Sequence, residues 1–190
     1  MTSQAKREQL IGTALRLFAK HGYHGTGIDL ILKESGVAKK TLYHHFPSKE
    51  ELIVEVLKHY DDEFRTMVNQ KVQKVEGGPM EKLLSIFDIA HEWFSDKHFY
   101  GCMFINAIGE YSDTDSSIRD ACKLFKERMR NYMECLCVEA GFKQAKELSE
   151  ELALLLEGSI VTAQVSQTAN AAGIAKRAAS VLLEQACRFH

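Results

Sequence analysis

Proline occurs only twice in the 190 residues, and tryptophan once. With so little proline, few positions are barred from a helix by a missing backbone donor and a ring clash. An uninterrupted apolar run of about 20 residues, the length that crosses a bilayer, is also missing, so no membrane is expected as a partner. The N-terminal stretch MTSQAKREQL has early charges but no apolar core, so no secretion signal is expected. The five cysteines, an odd number, form no paired framework, which leads us to expect reduced thiols and a cytoplasmic location. Cys135-x-Cys137 and Cys187-x-x-His190 contain metal-ligand residue types. Residues two apart on a helix point away from each other, however, and no second half-site has matching spacing. Small buried hydrophobes are the simpler reading, and no metal or other cofactor is expected.

What is present is the balance of an ordinary globular protein, 45% apolar and 26% charged. The length suffices to bury a core without staples. Charge is unevenly spread. Residues 1–50 hold eight Lys/Arg against four Asp/Glu, a balance of +4, and the remainder holds 16 against 22, a balance of −6. Four of the eight histidines also fall in the first fifty residues. A basic head on an acidic body suits contact with a polyanion, although a solvated face shows the same asymmetry.

Apolar residues recur at helical spacing nearly everywhere, which predicts an all-α fold of about nine helices with no strand, repeat or low-complexity segment. Ile11, Ala14, Leu15 and Phe18 line a first helix that ends at His21-Gly22. Thr26 is a candidate N-cap for a short second helix with Ile28, Ile31 and Leu32 inward. Gly36 breaks that helix, and a third runs from Ala38 to about His45, stopped by Pro47. Ser48 opens a long helix with Glu51 at the reciprocal capping position. Five more follow: Met80 to about Phe94, Gly101–Glu110, a stripe from Ile118 through Leu136, about Ala145–Gln167, and Gly173–Arg188.

Two short helices joined by a glycine turn, with a third packed across them, form a helix-turn-helix unit whose second helix suits the major groove. Leu42 and Phe46 would fix that helix inward and leave Lys39, Lys40, Thr41, Tyr43 and His44 outward. Lys49 starts the next helix, where free amides already favour a phosphate. A solvated surface helix fits the same geometry. The segment Leu17–Leu57, with Phe18, Gly22, Tyr23, Thr26, Ile31, Gly36-Val37, Thr41-Leu42-Tyr43, Phe46, Lys49 and Leu52 in register, closely resembles the DNA-binding segment of the tetracycline-repressor (TetR) family. The resemblance implies that Tyr43 and Lys49, often with Thr26, grip phosphates, and that Lys39, Lys40, Thr41 and His44 contact bases or the adjoining backbone. It further implies a DNA-binding domain over residues 1–50 and a ligand-binding and dimerisation domain over 51–190. Ala38 departs from the serine common at the cap of the recognition helix, Lys40 stands where a small residue is frequent, and Leu32 replaces a common alanine.

By the same resemblance the partners are double-stranded DNA bearing a palindromic operator, a second copy of the chain paired through the last two helices, and a small apolar or amphipathic effector. Leu148, Leu152, Leu155, Ser159, Thr162, Ala163 and Ser166, with Ala175, Ala178, Ala179 and Leu182, form faces able to pair across a two-fold axis or to pack within one chain. Candidate effector walls are Tyr60, Phe64, Phe87, Trp93, Phe94, Tyr100, Phe104 and Tyr132, with His59, His91, Asn106 and Glu110 as polar anchors. Each of these also reads as plain core or surface. In the stretch Phe99–Tyr111, a Gly-Cys pair with a downstream Asn and Glu resembles a pattern in one branch of the family. Cys102 is therefore either a redox or electrophile sensor, with His98 as its base, or a packing thiol. The expectation is a dimeric ligand-responsive regulator, a repressor rather than an enzyme. The rival readings are thiol sensing at Cys102, or an all-α enzyme built on His91, His98 and Glu110, which match no recognised catalytic set.

Overall fold

The computed structural model describes residues 2–113 and 116–188. His190, of the Cys187-x-x-His190 spacing, lies outside them, as do Thr114 and Asp115 of the polar linker. Among the described residues there are nine helices and no strand: α1 Ser3–His21, α2 Ile28–Ser35, α3 Lys39–His45, α4 Lys49–Gln73, α5 Pro79–Ser95, α6 Met103–Glu110, α7 Ser117–Glu139, α8 Ala145–Ser166 and α9 Asn170–Arg188. No described helix is long and apolar enough to cross a membrane.

The chain forms two compact units: residues to Glu63 with Met103–Phe125, and Phe64–Cys102 with residues from Lys126. In the first, α1 packs on α2 and α3. Leu10, Ala14, Phe18, Ile31, Leu42 and Phe46 are buried together with Leu52, Ile53, Val56 and Leu57 of α4. Seven residues are too few to hold a helix in water. α3 persists because Leu42 and Phe46 insert into this core, each side chain worth about 1.5–3 kcal/mol when fully buried. Gly36, at φ +65° and ψ 13°, makes the α2–α3 turn in the left-handed region that glycine enters without a side-chain clash, and its N–H donates to Leu32 O at 2.9 Å.

Most helix ends fall where the sequence places them. Ser48 Oγ accepts the N–H of Glu51 at 3.1 Å at the start of α4. Glu81 accepts the N–H of Gly78 at 2.8 Å just ahead of Pro79. The start of α2 is corrected: its N-cap is Gly27, which has no capping side chain. Thr26 is unavailable for that role because its buried hydroxyl lies 2.8 Å from Gly22 O and 3.2 Å from Leu17 O, and so satisfies carbonyls at the end of α1.

In the second unit α5 packs on α8 and α9, and α8 on α9. The small and apolar residues assigned to a self-pairing face are largely consumed here. Leu148, Leu152, Ser159, Ala163, Ala175 and Ala179 are buried within the chain.

Candidate nucleic-acid interface

α3 divides cleanly by face. Leu42 is buried, while Lys39, Lys40, Tyr43 and His44 are exposed and Thr41 is half-buried. No acid lies on the helix. Its N-cap, Ala38, contributes no side-chain bond, and the Thr41 N–H is met instead by the Ala38 carbonyl at 2.9 Å. Lys39 Nζ stands 3.8 Å from Asp29 Oδ1, but both side chains are mostly solvated and such a pair holds neither firmly. The outward face thus offers two ammonium groups, a phenol and an imidazole, a donor-rich set on a helix of the right width for a major groove.

Two residues grouped with this face are placed differently. Thr26 is wholly buried with its hydroxyl turned inward. Lys49 is half-buried, and its ammonium donates to Tyr23 O at 2.6 Å, so it is tied to the α1–α2 turn. Charge and turn geometry are visible in sequence, but a carbonyl 26 residues away is not.

Residues 10–56 match the helix-turn-helix domain model of the bacterial regulatory proteins of the tetR family. Residues 79–177 match the C-terminal domain model of LmrA/YxaF-like transcriptional regulators. The chain belongs to the TetR family. It is 32% identical to the uncharacterised HTH-type transcriptional regulator YxaF of Bacillus subtilis over 85% of this chain and 86% of that one. To the HTH-type transcriptional regulator LmrA of the same organism it is 31% identical, over 82% and 84%. A TetR-family transcriptional regulator from Streptomyces coelicolor shares the fold with a TM-score of 0.87 and 24% identity over 95% of each chain. As a TetR-family member the protein is a helix-turn-helix, DNA-binding transcriptional regulator.

The TetR-family body shows where the other candidates lie. In the second unit Trp93 gathers an aromatic cluster, with ring centroids 5.4 Å from Phe64, 5.6 Å from Phe94 and 5.0 Å from Phe99. Phe99 was not among the sequence candidates; its spacing six residues beyond Trp93, across a helix end, gives no periodic signal. Phe87 is fully buried core, whereas His91 and Tyr100 are exposed. Tyr132 lines a cleft of about 450 Å³ with Arg65, Asn69, Arg128 and Met129, and its hydroxyl lies 3.3 Å from Asn69 Oδ1. Burial, then the charge of Glu139, pushes the Tyr132 phenol above its ordinary value. Arg65 and Arg128 went unnoticed in sequence because each reads as a solvated charge on a long helix.

In the first unit Phe104 stacks on Phe125, centroids 3.7 Å apart and planes 9° from parallel, with Tyr60 at 5.8 Å. Asn106 is half-buried on α6. His59 pairs with Glu63 one turn along α4, at 3.3 Å. Glu110 serves a use the sequence reading did not assign. Its carboxylate accepts the N–H of Tyr23 at 2.8 Å and of His24 at 2.6 Å, and lies 3.2 Å from His24 Nδ1.

Cys102 is buried just before α6. Gly101 adopts φ +88°, a conformation that residues with a Cβ rarely adopt, and the Gln164 carboxamide lies against it. The glycine of the Gly-Cys pair therefore has a backbone cause. His98 is solvated and pairs with Asp96 at 3.3 Å. No group of three or more His, Cys, Asp or Glu able to hold a metal occurs among the described residues.

Proposed function

We propose that the protein is a repressor that grips a palindromic operator as a homodimer and lets go when a small apolar or amphipathic effector binds it. The observation that carries this reading is the outward face of α3, which sets Lys39, Lys40, Tyr43 and His44 in solvent around a buried Leu42. Residues 1–50 serve DNA binding, and residues 51–190 serve effector binding and dimerisation. Tyr43 and Lys49 act on phosphates, and Lys39, Lys40, Thr41 and His44 on bases or the neighbouring backbone. Thr26 supports them from below by fixing the end of α1.

A second copy is supported by an apolar stripe that the chain leaves in water. On α8, Leu154, Val161 and Val165 are exposed on either side of Gly158, and on α9 Ile174 and Val181 are exposed. Steps of four, three and four residues put the α8 set on one face, and glycine lets a symmetry mate approach closely. The effector would meet the cluster around Trp93, Phe64 and Phe94, or the cleft beside Tyr132. Burial of Cys102 and the pairing of His98 with Asp96 weigh against thiol sensing. No catalytic role is assigned.

The test is selection of duplexes from a randomised library by the purified protein, followed by affinity measurement against salt. A palindrome with half-sites about 34–36 Å apart, or a multiple of that, is expected, with affinity falling steeply as salt rises. Affinity independent of salt for every selected duplex would sink the reading.

A further inference from the structure

Tyr23 is the fully buried first residue after the α1 C-cap Gly22, and the α1–α2 turn it opens is held from two sides by charges. On one side the Lys49 ammonium donates to its carbonyl. On the other, Glu110 at the last position of α6 accepts its N–H and that of His24, a contact spanning 87 residues of sequence. The Tyr23 hydroxyl donates to Met103 O at 3.0 Å, so both ends of α6 grip one side of the turn. The rings of His24 and Tyr111 pack at 4.8 Å beside the carboxylate. Gly22 admits the contact in two ways. Its φ is +76°, and a Cβ there would stand 3.0 Å from Glu110 Oε1. Charge-assisted bonds to consecutive amides are among the strongest fixed contacts a turn can have.

We propose that Glu110 is a positioning residue for DNA binding: through the Tyr23–His24 amides it fixes the α1–α2 turn, and through that turn the placement of Lys49 and of α2. It lies outside the segment matched by the helix-turn-helix model, residues 10–56, and its role is to act through the turn rather than on DNA. The inference rests on the DNA-binding reading and adds a member of the reading head that comes from α6.

Charge makes the test decisive in sign. Glu110→Gln removes a negative charge from the DNA-binding unit. By Coulomb attraction alone the variant should bind any duplex slightly tighter. A positioning role gives the opposite result. Fluorescence anisotropy would compare the duplex selected by the wild type with a scrambled duplex of equal length. Glu110→Gln is expected to lose about tenfold on the selected duplex, with scrambled binding unchanged or tighter. Tyr23→Phe, which keeps the ring and removes the hydroxyl that donates to Met103 O, should lose less but with the same selectivity. In a cycle with Lys49→Ala the double variant should lose less than the product of the single losses, because both charges act on one peptide unit.

Equal or tighter binding of the selected duplex by folded Glu110→Gln overturns the proposal. So does a lower melting temperature with unaltered affinity, or strictly multiplicative losses in the cycle. If Glu110→Gln does not fold, Tyr23→Phe decides by the same comparison. Failure of the wild type to select any duplex would instead fell the DNA-binding reading.

Discussion

The DNA-reading head and the body proposed to bind an effector are built from the same element, the amphipathic helix, but they differ in how far their chemistry depends on neighbours distant in sequence. In the head, turn, donor surface and anchors interleave within eleven residues: Gly36, then the outward Lys39 and Lys40, then Leu42 and Phe46 on either side of Tyr43 and His44. In the body the residues that gather come from separate helices, as Trp93 does with Phe64 and Tyr132 with Arg65. A function spread along one short segment imprints itself on sequence, whereas one assembled by packing leaves only residue types that core also uses.

The contrast is broken most severely by Leu42→Ala. Removing a fully buried anchor from a seven-residue helix should cost about 2–5 kcal/mol. Selective loss of DNA binding while the body stays helical in thermal denaturation would show that the head melts by itself; a single cooperative loss of both would show that it does not. Next in size, Val161→Asp with Val165→Asp should weaken self-association by about 3 kcal/mol, roughly a hundredfold. Analytical ultracentrifugation reads this directly, and an unchanged sedimentation profile would remove the exposed α8 stripe from the interface. Smaller again, Tyr43→Phe should cost about 1 kcal/mol on all duplexes alike. Lys49→Ala should lower the salt slope by about one; a changed sequence preference in either would place these residues on bases.

The smallest effects lie at the pH extremes, and they separate the two units. In the first unit, the hydrogen bond from Lys58, reinforced by Arg7, holds the Glu55 carboxyl below its ordinary 4.5. A depressed carboxyl stabilises the folded state above that value and loses the contribution as pH falls below it, so Glu55→Gln should flatten the acid limb of the melting curve. In the body, burial pushes the Cys137 thiol from 9.0 to about 11, with Glu134 adding to the shift. A raised thiol stabilises fully below 9 and loses that contribution between 9 and about 11. Cys137→Ala should therefore blunt the alkaline loss of melting temperature, and an unaltered alkaline limb would refute the assignment.

Helix number, the breaks at Gly36 and Pro47, and the Ser48 cap were all legible, because each depends on contacts within a few residues. Thr26 was misread as a cap for α2, since a hydroxyl before a helix can serve either the helix ahead or the carbonyls behind, and only the fold chooses. On α8 more than one face is apolar. Periodicity found Leu148, Leu152, Ser159 and Ala163, which the chain buries against itself, and passed over Leu154, Val161 and Val165, which it exposes. Which apolar face meets solvent is decided by where α5 and α9 pack on α8, and spacing does not record it.

The sequence by itself therefore determined an all-α TetR-family chain and the outward set on α3, because these rest on backbone conformation and short-range burial. Only the tertiary structure decided that Lys49 and Glu110 hold the two sides of the Tyr23–His24 peptide. In the primary structure Glu110 is one more acid at the end of a helix. Its role comes from two backbone amides that point at it, and the direction in which an amide points is a property of the folded chain.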